Sequence, residues 1–263
     1  MSARVENSIA RLPITDFGCV EKTAKVLKKN IHFKWRGSAE WAGLTKADLV
    51  ELTVGIATFI GITQEQAKKI TITFGDHYKL PDVDTTYSAV CIPYHPDGVY
   101  TKMVVILNRS HEVALEVIAR FKANLEEERA KMDLLGLYDP KPDDESYSCQ
   151  LTPFESVVWS IAEELNHAHT MLIAGTIMRS HAWSKRYVEM LKVRGIQIKD
   201  DYETDLDEVA ANRRVLRILA YLSPDEDKKQ LFRQCYLRSL QDRRVFFAEI
   251  TNTALIPTGY KPQ

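Results

Sequence analysis

The chain has 263 residues, of which 45% are hydrophobic and 27% charged, a balance that supports a folded core and argues against a disordered chain. Its 35 basic and 36 acidic residues leave a net charge of −1, which excludes a global electrostatic attraction to nucleic acid or to an anionic membrane. The longest apolar run, Leu49 to Ile62, contains Glu51 and is too short to span a bilayer.

Met1 to Pro13 lacks the apolar centre of a signal peptide. Cys19, Cys91, Cys149 and Cys235 are widely spaced and form no C-x-x-C pair, so they read as free thiols in a reducing compartment. A cytoplasmic location without a membrane partner is expected.

In chain order, Glu21 to Arg36 is rich in lysine, with Phe33 and Trp35 close by. A solvated helix face is the expected reading there, and nucleic acid is not an expected partner. Thr45 to Ile60 has the spacing of a helix, with Leu49, Leu52, Ile56 and Phe59 or Ile60 on one side. Thr63 and Gln66 form a capping box that opens a short helix through Lys69.

Three strand-like runs follow, Ile70 to Phe74, Thr86 to Ile92 and Lys102 to Leu107. The turn residues Tyr94-His95-Pro96-Asp97-Gly98 make the last two a predicted hairpin. A helix is expected from His111 to about Leu135, then a loop rich in Pro and Asp over Gly136 to Gln150. Helices are expected again over Pro153 to Arg179, Leu206 to Leu222, and from Pro224 to about Thr253. Helices, then a small sheet, then helices argue for an α+β fold.

The long helix opening at Pro153 carries the chemistry. Thr152 suits the N-cap, Pro153 the first turn, and Glu155 the carboxylate of a capping box. Phe154, Val157, Val158, Ile161, Leu165, Ala168 and Leu172 form one apolar stripe. Glu163 and His167 stand four apart on another side, flanked by Trp159, Met171, Ala174, Ile177 and Met178.

Ionisable groups on a helix that is apolar nearly all round must be paired, hydrogen-bonded or bound to metal. Ligands at i and i+4 can grip one cation from a single face, while Glu164, turned about 100° away, can reach a metal-bound water. A modest surface Glu–His pair is the alternative that this spacing leaves open.

Glu163-Glu164-Leu165-Asn166-His167 resembles the H-E-x-x-H signature with glutamate in place of the first histidine. With the helix, sheet and supporting helix before it, the stretch from Thr45 to Glu189 is similar to a zincin-type metallopeptidase of the gluzincin branch. The resemblance implies a small mixed sheet packed on helices. It divides the chain into an N-terminal helical segment (1–44), a zincin-like core (45–195) and a helical C-terminal extension (196–263).

It further implies Glu163 and His167 as metal ligands, Glu164 as general base, and a peptide or protein substrate paired to a cleft strand, here Lys102 to Asn108. A glutamate from a later helix would be the third ligand. Arg186-Tyr187-Val188-Glu189 resembles the family's pattern and makes Glu189 the first choice, with His181 second. The extra negative charge at Glu163 would make the metal less Lewis acidic and suit iron or manganese as well as zinc.

Two other functions compete. Glu164-x-x-His167 has the spacing of ferritin-like di-metal sites, but the sequence contains no second E-x-x-H. A non-catalytic binding protein on a peptidase-like scaffold would instead pair Glu163 and Glu164 with arginines such as Arg213, Arg214, Arg243 or Arg244.

Overall fold

The computed structural model describes residues 20–37, 41, 43–75, 89–108, 151–193 and 206–241. The predicted helix over 111–135, the loop to Gln150, and Arg243 and Arg244 lie outside them, as does the expected continuation of the last helix to Thr253.

Helix α1 (Val20–Asn30) leads into strand β1 (His32–Arg36), which pairs in parallel with β2 (Ile70–Gly75). A parallel pair needs a crossover, and α2 (Lys46–Ile60) with the short α3 (Gln64–Ala67) supplies it. Both start on reciprocal capping boxes, Thr45 with Asp48 and Thr63 with Gln66, and α2 stops at Gly61, whose φ of 89° suits glycine. The lysine-rich segment is thus a helix followed by an edge strand. His32, Lys34 and Arg36 are exposed, and Phe33 and Trp35 are half-buried. Trp35 stacks on Phe74 with Lys46 over its ring, so its aromatic surface is used inside the fold.

Strands β3 (Ala89–Tyr94) and β4 (Lys102–Asn108) form the predicted antiparallel hairpin, and the sheet order is β1-β2-β4-β3. The fold is therefore α+β, with a four-stranded mixed sheet and seven α-helices among the described residues. This places β4 between two partners, so Lys102 to Asn108 has no edge to offer a substrate. The expectation of a cleft strand there is not met: among the described residues the outer strands are β1 and β3, and β3 accommodates Pro93 because an edge position tolerates the missing N–H.

Ile70, Ile72, Phe74, Met103, Val105 and Leu107 alternate onto one sheet face and join the stripe of α4 (Pro153–Ala174), Val158, Ile161 and Leu165, in one core. Gly175, at φ 75°, ends α4 short of the expected Arg179, and Thr176 bridges to Val99 before α5 (Ile177–Val193) begins. Ile177 and Met178 thus belong to a different helix and do not flank the motif; Met178 is exposed.

Helix α6 (Leu206–Leu222) packs along α4, and α7 (Glu226–Gln241) along α6. Val215, Leu216, Ile218 and Leu219 belong to the same cluster as the α4 stripe, so the helices after residue 195 share its core. No helix among the described residues is long and apolar enough to cross a membrane.

The α6–α7 turn is tied to the start of α4 by a buried charge. Glu155, 0% exposed, accepts from the Thr152 N–H at 2.8 Å, from Ser223 Oγ at 2.7 Å and from Lys228 Nζ at 2.9 Å. Burial alone would raise its pKa, but these donors hold the carboxyl below the usual range. Glu155→Ala removes the buried carboxylate to which Lys228 and Ser223 donate and should cost about 3 kcal/mol, whereas Thr152→Ala should cost about 1 kcal/mol. Urea unfolding of the two variants checks this order.

Candidate metal centre

Helix α4 places Glu163 and His167 one turn apart, as its period dictates. The third group comes from the first turn of α6: His167 Nε2 lies 3.6 Å from Glu208 Oε1, and one ligand atom from each of Glu163, His167 and Glu208 falls within 4.8 Å of the others. Tetrahedral zinc with bonds near 2.0–2.2 Å would hold its ligand atoms about 3.3–3.6 Å apart, so the His167–Glu208 spacing already fits, while the 4.8 Å within which all three atoms lie leaves the set open and requires it to contract onto a cation. The chemistry of the set, one imidazole and two carboxylates, suits a divalent cation.

Glu189 and His181 both sit exposed on α5. Neither is in the converging group, so the residue that stands where a third ligand was expected is Glu208. The sequence marks its neighbourhood, Asp205-Leu206-Asp207-Glu208 at a helix start. Which acid faces His167 depends on how α6 is rotated against α4, and no local pattern encodes that.

The site is largely buried and crowded with carboxyl groups. The His167 side chain is 11% exposed and that of Glu208 23%, while Glu164 is 8% exposed. Burial, with Glu208 adding its charge, lifts the Glu163 carboxyl to about 7, against a hydrogen bond from Trp159 Nε1 at 3.1 Å to Oε2 that pulls it down. Glu164 is lifted to about 8 by burial, then by the charges of Glu163 and Glu208, partly offset by the backbone N–H of Cys91. The charged groups that act on both glutamates are thus other carboxylates. Arg214 is engaged elsewhere, donating to Asn166 Oδ1 at 3.1 Å, and Arg213 lies over the Tyr236 ring.

Glu164 meets the sheet at its edge. The Met103 N–H bonds to Lys69 on the β2 side, so the even-numbered residues of β4 face β3, and Val90, Ile92 and Tyr94 answer them. Ala89, Cys91 and Pro93 therefore turn their backbone groups outward, and the Cys91 N–H that reaches Glu164 belongs to this outer row. His169, expected to serve packing or hydrogen bonding, is buried with Nδ1 3.2 Å from Gln66 Oε1. Burial, reinforced by the Arg214 charge, presses its pKa down to about 3, which keeps it neutral.

Searches of protein-family models, curated proteins and solved structures find no match for the chain.

The raised carboxyl groups make metal-free stability depend on pH. Between pH 4.5 and about 8 the folded chain holds protons on Glu163 and Glu164 that the unfolded chain has released, so stability falls as pH rises. His169 acts oppositely and at lower pH: its contribution is complete above about 6.5 and is lost as pH drops toward 3. In chelator, Glu164→Gln should therefore unfold at higher urea than wild type at pH 8.5, by at least about 1 kcal/mol, with the gap shrinking toward pH 5. Parallel pH profiles for the two proteins would refute the charge assignment.

Proposed function

We propose that the chain is a metal-dependent hydrolase acting on peptide bonds, with Glu163, His167 and Glu208 as ligands and Glu164 as the proton-transfer group. The observation that carries this reading is the arrival of Glu208, from a separate helix, at the largely buried Glu163–His167 pair. Packing three carboxylates together without a cation is costly, and a divalent ion at the centre offsets that cost. Zinc fits the geometry, and iron or manganese fits the carboxylate-rich donor set.

A bound cation of this kind supplies Lewis acidity and a water of lowered pKa. Glu164, adjacent to the ligands yet hydrogen-bonded to the sheet, would ionise once a bound cation offsets the neighbouring charges, and could then take a proton from the attacking water and return it to the leaving amine. The outer backbone row of β3 presents the N–H and C=O of Ala89 and the C=O of Cys91 toward an extended chain, which favours a peptide or protein substrate. The ferritin-like alternative has little support beside a four-stranded sheet. The ion-pair alternative lacks its arginine among the charges acting on Glu163 and Glu164.

Purified protein should carry one divalent metal per chain by elemental analysis. His167→Ala and Glu208→Ala should lose it, whereas Glu189→Ala should keep it. Glu164→Gln should retain metal and lower the rate on a casein or peptide-library substrate by about 100-fold or more. Metal-free wild type after metal loading and dialysis would end this reading. Glu163→His should raise zinc affinity, since it restores a neutral nitrogen ligand and relieves the charge on its neighbours.

A further inference from the structure

Trp159, Glu163 and His167 recur every four residues and so stand in one row along α4. The indole N–H of Trp159 is 3.1 Å from Oε2 of Glu163, a charge-assisted hydrogen bond one helical turn before the carboxylate. A carboxylate has two oxygens, and the indole holds one of them, Oε2, from a residue one turn nearer the start of the helix, whereas His167 stands one turn further on. Resting on the metal reading above, the geometry points to Trp159 as the positioning residue for Glu163: it clamps Oε2 and leaves Oε1 alone to ligate, so that Glu163 binds through one oxygen.

Two consequences follow from this arrangement. A single-oxygen Glu163, with His167 and Glu208, makes a three-ligand set and keeps a position open for water or substrate, whereas two-oxygen binding would fill it. The indole also draws negative charge off the carboxylate, which brings Glu163 closer to the neutral histidine whose place it takes. Groups that orient a ligand in this way commonly change metal affinity by about 10–100-fold when removed.

The experiment is a zinc titration by calorimetry on the full chain, with Trp159→Phe, which keeps a ring without the N–H, and Trp159→Gln, which restores a donor on a shorter arm. Trp159→Phe should weaken zinc by about tenfold or more, and Trp159→Gln should recover most of that. Tryptophan emission gives a second readout. Cobalt(II) should quench wild type, and the quenching should be largely lost at saturating metal in Trp159→Phe, although the other three tryptophans remain.

Equal affinity in wild type and a folded Trp159→Phe overturns the inference while leaving the metal site standing. Equal losses in both variants also overturn it, since packing and not the N–H would then be responsible. If Trp159→Phe does not fold, wild-type quenching that survives in a metal-binding Glu163→Gln chain at undiminished affinity overturns it instead. A wild type that binds neither ion fails the metal reading itself and takes this inference with it.

Discussion

Negative charge concentrated where water is scarce is the constraint around which this molecule is arranged. Glu163 and Glu164 are adjacent on α4, and α6 brings Glu208 to them. Each carboxylate raises the cost of ionising the next, and burial compounds it. A fold seeking only stability would place apolar side chains at these positions. That α4 carries them, beside a histidine and against the sheet, is the feature on which the proposed cation site rests.

The remaining polar groups of α4 show the contrast. Glu155 is buried as deeply as any residue, yet three donors satisfy it and hold its pKa down. Asn166 donates to the Ala162 carbonyl at 2.7 Å and accepts from Arg214, joining α4 to α6. His169 reaches back to Gln66, whose Oε1 also accepts the Thr63 N–H at 2.9 Å in the α3 capping box. These contacts fix α4 against α3, α6 and α7, and so set the position of the Glu163–His167 row relative to Glu208 and β3. Glu155, Asn166 and His169 are thus compensated by protein, while at the acidic centre an indole N–H reaches Glu163 and a backbone N–H reaches Glu164.

Much of the local structure was legible from the chain. Capping boxes at Thr63 and Thr152 depend on residues three apart, and both form as expected. The hairpin from β3 to β4 follows from its turn residues, with Asp97 and Gly98 both at positive φ. A short-range pattern misleads where it is ambiguous. Ile177 and Met178 continue the apolar spacing of the Pro153 helix past Gly175, although the left-handed conformation that ends it is cheap only for glycine. His32 to Arg36 reads as part of a basic helical stretch because five residues with alternating exposure are too few to outweigh the lysines around them.

The candidate site divides along the same line. Residues on one helix, Glu163, Glu164 and His167, could be read from the sequence because helical periodicity alone determines which side chains share a face. Glu208 could not, since its approach depends on the packing rotation of α6 against α4, set by Val215, Leu216 and Leu219 in the common core. The edge status of β3 was equally hidden, because strand order depends on which partners pair across the sheet and not on any strand's own composition. Sequence determined the elements, their caps and the half of the site that lies within one turn of helix. Tertiary structure alone decided the third converging carboxylate and the strand beside it, because both depend on contacts between segments far apart along the chain.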